Sequence, residues 1–195
     1  MMAGVNALHY GDNLERLRSG EIPDGVADLI YLDPPFNSAR SYNALFKGAK
    51  GEGSPAQIRA FTDTWTYSKA EYDRVIRDER NHRIVPVLEA FHGILKGSEM
   101  MAYVTMMAPR LLELHAKLKP TGSLYLHCDP VASHYLKLIL DVIFEPENFR
   151  NEIIWKRTSA HSNATTKFGS THDVILAYGR SSRVHFDPIY GEYDQ

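Results

Sequence analysis

The chain has 195 residues, of which 44% are hydrophobic and 24% charged, and its formal net charge at pH 7 is -2. That length supports one domain with a real core, spanning residues 1–195, and nothing in the composition is low-complexity. A near-neutral total excludes a wholly basic nucleic-acid coat protein but leaves room for a local basic face.

The opening residues, Met1 to Asn6, lack the basic cluster and apolar block of a signal peptide. No stretch further on is long and apolar enough to span a bilayer. A soluble, cytoplasmic protein with no membrane partner is the expectation. Tyr10-Gly-Asp-Asn-Leu14 suits a tight turn, with Asp12 or Asn13 capping a helix that begins near Leu14. Val26, Leu29, Ile30 and Leu32 then form a nearly continuous apolar run, the pattern of a parallel strand covered on both faces. Asp33 must end that strand, because Pro34 and Pro35 offer no N–H to a ladder and both fix φ. Ligands of open α/β sheets bind beyond the carboxyl ends of the strands, and Asp33 falls there.

The residue types at this tip suit one kind of chemistry. The exocyclic amine of a nucleobase is a poor nucleophile, since its lone pair is delocalised into the ring. A carboxylate and a carbonyl fixed in one plane can accept both of its N–H bonds. They draw the nitrogen towards tetrahedral geometry and stabilise the positive charge that develops on attack. Asp33 supplies the carboxylate and Pro34 the carbonyl, Pro35 stiffens the backbone, and Phe36 offers a flat face for an extruded base. Stacking of that kind is worth about 1–3 kcal/mol. Taken alone, the same residues also fit an ordinary strand that ends in an Asp-Pro turn.

Residues 38–61 are rich in Gly and read as a mobile loop that could close over bound DNA, with Asn37, Arg40 and Tyr42 as candidate contacts. The Gly51-Glu-Gly53 within it is no nucleotide fingerprint, because no strand leads into it. Trp65 reads as a packing anchor before a charged helix from Ser68 to Ile94. A second helix, Met100 to Leu118, carries a core stripe at Val104, Met107, Leu111, Leu114 and Leu118, and its methionines read as core filler. Lys119-Pro-Thr-Gly122 stops it.

Ser123 to Asp129 reads as a second buried strand, again ending in an acid before a proline, so Asp33 and Asp129 share one rim of a parallel sheet. Together they suggest a metal site for phosphodiester cleavage only weakly, since no further ligand-like spacing accompanies them, and no metal is assigned. His127 and Asp129 suit organising the rim or capping the next helix. Cys128, the one cysteine, cannot form an internal disulfide, reads as a buried thiol and points to a reducing, intracellular setting.

A helix from Ala132 to Phe144 follows, with Leu136, Ile139, Leu140 and Ile143 facing inward. Strands are expected over Phe149–Arg157 and Thr171–Tyr178. The polar loop 158–170 between them is expected to face DNA. Arg150, Lys156, Arg157, Lys167, Arg180 and Arg183 make this the one clearly basic region, suited to phosphate contact beside the rim.

Leu32-Asp-Pro-Pro-Phe-Asn37 resembles the catalytic motif of the DNA amino-methyltransferases that use S-adenosylmethionine. Gly11-Asp-Asn13, Phe61-Thr-Asp-Thr-Trp65, Gly122 to Asp129, Asn151-Glu-Ile-Ile-Trp-Lys156 and His172 to Tyr178 match the same family in order. The resemblance covers nearly the whole chain, in the branch where the catalytic half precedes the cofactor half. It implies a three-layer, Rossmann-like α/β sheet whose last two strands pair antiparallel. It also implies duplex DNA as substrate, a flipped base as target, S-adenosylmethionine as cofactor and a possible restriction subunit as partner. Within it, Asp33 and Asp12 fall at cofactor-binding positions, Asp12 near the adenine ring, and Trp155 with Lys156 falls near the flipped base. The acid at position 33 matches the adenine-specific type, since the cytosine-4-amino enzymes more often carry Ser there.

One family feature is missing from these residues. The strand and Phe-x-Gly-x-Gly turn of the cofactor half do not occur, so the cofactor half is expected to be incomplete here and supplied by the same or a second chain. A half sheet would leave an unpaired inner edge and exposed apolar surface, and the isolated polypeptide is expected not to methylate DNA. A DNA-binding remnant without a cofactor pocket and a metal-dependent nuclease built on Asp33 and Asp129 are the alternatives.

Overall fold

A computed structural model of the chain describes residues 6–35, 65–158 and 168–188, and the backbone alone of 41–43 and 59–62. The expected mobile loop, the DNA-facing loop over 159–167, and Phe36, Asn37, Arg40 and Lys167 therefore lie wholly or largely outside the described residues. Within the first of these loops, β2 (Ser41–Asn43) and β3 (Arg59–Thr62) pair antiparallel. Tyr42 sits on β2.

The remaining strands, β1 (Ala27–Leu32), β4 (Leu118–Cys128), β5 (Phe149–Lys156) and β6 (His172–Gly179), form an open sheet in the order β1-β4-β6-β5. β1 and β4 run parallel, and β6 is antiparallel to both of its neighbours. The mixed α/β architecture and the antiparallel pairing of the last two strands are those the sequence implied. Parallel neighbours need a long crossover. α2 (Lys69–Arg77), α3 (Val85–Leu95) and α4 (Glu99–Lys117) supply it.

The expected helix over 68–94 is thus broken in two. Asp78 ends α2 and its side chain accepts from Arg80 N–H to start a separate 3-10 turn, Glu79–Asn81. Pro86 is then tolerated only because it lies in the first turn of α3, where its missing N–H costs nothing. Lys119-Pro-Thr-Gly122 does not act as a helix stop, because α4 has already ended and Leu118 opens β4, paired with Ala27.

Side chains alternate across a strand, so the register assigns faces. Ile30 and Leu32 of β1 align with Leu124 and Leu126 of β4 and, beyond them, with Tyr178 and Leu176 of β6. This face packs against α4 and α5 (Ala132–Phe144), with Met101, Val104, Leu111, Leu136, Ile139 and Leu140 all fully buried. The other face is different. Leu29 is 61% and Tyr31 54% exposed. Among the described residues β1 is therefore not covered on both faces as its apolar run suggested, because the described helices pack on one side of the sheet.

Candidate active site

Asp33 follows the last residue of β1, and its side chain is 61% exposed at the strand tip. Pro34 and Pro35 are half-buried and belong to no strand. The ladder ends where the prolines require. Asp129, at the tip of the parallel neighbour, turns away from this point: its carboxylate accepts from the Val131 and Ala132 N–H groups, at 2.7 and 3.0 Å, where α5 begins. A negative group there complements the helix terminus. Of the two acids sharing the rim, only Asp33 is left open to solvent and to a substrate.

A row of ionisable groups crosses the sheet beside Asp33. His127 Nδ1 lies 3.3 Å from Asp33 Oδ1, and its Nε2 lies 3.4 Å from Asp173 Oδ2. Asp173 is nearly fully buried and has Arg157 Nη1 3.1 Å from its other oxygen. The last two, His127 Nε2 to Asp173 Oδ2 and Arg157 Nη1 to Asp173 Oδ1, are close approaches without hydrogen-bond alignment. The Tyr31 hydroxyl stands 3.5 Å from His127 Nδ1. Sequence reading placed His127 on the rim but did not single out Asp173, since no linear spacing links residues on four strands.

Trp155 faces Asp173 across the β5–β6 ladder and is 58% exposed, and Lys156 and Arg157 are exposed beside it. The rest of the basic region is elsewhere. Because β5 and β6 are antiparallel, Arg150 and Arg180 stand at the opposite end of the sheet, with Arg150 donating to the Ser181 carbonyl and Arg180 to the His115 ring. Eight residues of strand at about 3.3 Å each put the two ends of β5 over 20 Å apart. The basic region is therefore not one patch beside the rim: only Lys156 and Arg157 are placed there among the described residues.

Asp12 caps α1 (Asn13–Arg18), accepting from Leu14 and Glu15 N–H. Its second oxygen takes Arg110 Nη2 at 2.7 Å, while Arg110 Nε reaches Asn13. Nothing in the linear pattern signals Arg110, which lies off the core stripe of α4. Asp12, Arg110, Trp65, Tyr67 and Met106 line a cavity of about 330 Å³. Met106, partly buried against the core, also lines this cavity, while Met101 and Met107 are buried within the core. Trp65 packs at 6.0 Å from Tyr103, so it anchors the core edge and walls the cavity together. Cys128 is fully buried, and burial, with Asp129 next, pushes its thiol up to about 12, an inert group.

The strand tip thus presents one open carboxylate, with an exposed tryptophan on the same rim. Residues 27–194 match the model of the N6/N4 methyltransferase family, described as DNA methylase. The chain belongs to this DNA methylase family. It is 30% identical to the Mod subunit of the type III restriction-modification enzyme StyLTI of Salmonella typhimurium, over 97% of this chain and 26% of that protein. It is 22% identical to the type II methyltransferase M.KpnI of Klebsiella pneumoniae, over 90% of this chain and 33% of that one. Among solved structures it is similar to the cytosine-N4-specific PvuII DNA methyltransferase, with a TM-score of 0.47, 16% identity, and 89% of this chain and 48% of that one covered. The chain spans about a quarter to a third of the length of these two curated relatives. Among the described residues no helix is long and apolar enough to cross a membrane.

Proposed function

We propose that the chain carries the amine-binding rim of a DNA methyltransferase that acts on the 6-amino group of an adenine flipped out of duplex DNA, in a restriction-modification setting with a restriction subunit as partner. The observation that carries this reading is the open carboxylate of Asp33 on a strand tip that two prolines hold rigid. Asp33 accepts one N–H of the amine and the Pro34 carbonyl the other. Phe36 and Trp155 offer flat faces to the extruded base, and Asn37, Arg40, Tyr42, Lys156, Arg157 and Lys167 are the proposed DNA contacts. An acid in place of the serine common among cytosine-4-amino enzymes supports adenine.

A nucleoside-bearing cofactor fits the cavity beside Asp12. Two backbone N–H groups and one guanidinium occupy three of the roughly four acceptor positions of a carboxylate, which leaves one for an exocyclic amine, and Trp65 supplies an apolar wall. S-adenosylmethionine supplies an electrophilic methyl group on a sulfonium. Asp33 and the Pro34 carbonyl orient the amine towards it, and alignment of that kind accounts for much of the acceleration. The share of the relatives that the chain spans supports a further reading, that the 195-residue polypeptide alone does not turn over.

The test is methyl transfer from radiolabelled cofactor to duplex DNA by the native protein that carries this sequence, followed by hydrolysis and separation of the bases. Label in 6-methyladenine is the expected outcome. Label in 4-methylcytosine corrects the base and keeps the chemistry, and label in neither removes the assignment. Ordinary turnover by the 195-residue chain alone would refute the need for a further portion.

A further inference from the structure

We infer, on the reading of Asp33 given above, that His127 is a positioning residue for the methyl-transfer step: it holds the Asp33 carboxylate in place and is itself held by Asp173 and Arg157. The register makes these groups neighbours. Leu32 pairs with Leu126, so the next residues, Asp33 and His127, both project from the face opposite the helices. Cys128 pairs with Val174 and Trp155 with Asp173, which puts Asp173 on that same face, and the Arg157 N–H bonds to the Thr171 carbonyl just beyond. Carboxylate, imidazole, carboxylate and guanidinium thus alternate across the strands at 3.3, 3.4 and 3.1 Å.

The burial of the row runs in the direction such a role needs. The side chain of Asp173 is 5% exposed and that of His127 15%, whereas Asp33 is 61% exposed. A carboxylate alone at an open tip rotates freely about its side-chain bonds, while an amine needs both acceptors in one plane. The contact from His127 engages Oδ1 and leaves Oδ2 towards the substrate. A ring nitrogen is aimed by what its partner nitrogen meets, and here that is the buried Asp173 carboxylate at 3.4 Å, with Arg157 3.1 Å from its other oxygen. The arrangement differs from simple satisfaction of a buried histidine, because one end of the row is the solvent-facing acid that does the chemistry.

The experiment compares the native protein with His127→Phe, which keeps ring volume without a polar edge, His127→Gln, which keeps one, and Asp173→Asn. His127→Phe should lower the single-turnover rate by about 10- to 100-fold, the cost of a small misplacement, and leave KM for DNA and cofactor within about threefold. His127→Gln should recover part of that loss, a recovery that a merely structural role would not show. Losses at His127 and Asp173 should fail to multiply in the double variant, since both act through one path. In the 195-residue chain, the imidazole nitrogen shifts of His127 should move on Asp33→Asn and on Asp173→Asn, a readout that needs no activity. An Asp33→Ala protein that is inactive beside a His127→Phe protein within about twofold of wild type would overturn the role of His127 alone. Unmoved nitrogen shifts, or fully multiplicative losses, would overturn it as well. A wild-type protein that transfers no methyl group, or an Asp33→Ala protein that still does, sinks the reading of Asp33 and this role with it.

Discussion

Removing the Asp33 carboxylate separates chemistry from binding, because the side chain packs against little and bears no part of the core. Asp33→Ala in the native protein should lower turnover by about 10²–10³-fold or more, the usual consequence of losing a preorganised polar catalytic group. DNA affinity should stay within a few-fold, since phosphate contacts dominate it. Stopped-assay kinetics with parallel DNA-binding titrations check both, and near-normal turnover would end the assignment. Asp12 illustrates the opposite case. Its carboxylate is already engaged by helix N–H groups and Arg110, so loss of activity on its removal has to be read against loss of a cap, typically about 1 kcal/mol.

At the scale of elements, two contacts fix how β4 and α4 sit. A Cβ on Gly122 would lie 2.8 Å from the Ala27 carbonyl and 2.9 Å from Leu118 Cδ2, so β1 approaches β4 where only glycine fits. Gly122→Ala should destabilise the chain by about 1–3 kcal/mol through forced separation of backbone, read as a lower midpoint in urea at unchanged slope. His115, near the end of α4, is buried against the edge of Phe144 and takes Arg180 Nη1 at its Nε2, 2.6 Å away. Burial, reinforced by Arg180 and Arg83, pulls this imidazole from the ordinary 6.5 down to about 4. The unfolded chain therefore binds a proton in a window where the folded chain does not. The stability this group contributes is complete above about pH 6.5 and is lost as pH falls towards 4, by up to roughly 3 kcal/mol. Thermal melts should show a falling midpoint across that window, and His115→Gln, which keeps an acceptor without the titration, should flatten the slope. A slope unchanged by the substitution would assign it to the carboxylates instead.

At the scale of the whole molecule, the helices described here cover one side of the sheet, and β1 and β5 present Leu29, Tyr31, Ile153 and Trp155 on the other. Apolar surface of this kind favours association. Leu29→Lys should raise the soluble concentration of the 195-residue chain and reduce dye binding to exposed apolar surface, with its melting midpoint unchanged, because that side chain already lies mostly in solvent. A lowered midpoint would mean that Leu29 packs in solution. Much of this architecture was legible in the residues themselves. The inward stripe of α5 and the prolines that stop β1 at Asp33 follow from local periodicity and from the missing N–H of proline, properties each segment carries wherever it lies. The break between α2 and α3 was readable in Asp78 and Pro86, yet the helical period across them masked it. What no linear pattern could supply is juxtaposition. The dispersal of the basic residues to two ends of the sheet, the clamp of Arg110 on Asp12, and the row from Asp33 through His127 to Asp173 and Arg157 depend on strand direction and register, which only the packing of distant segments decides.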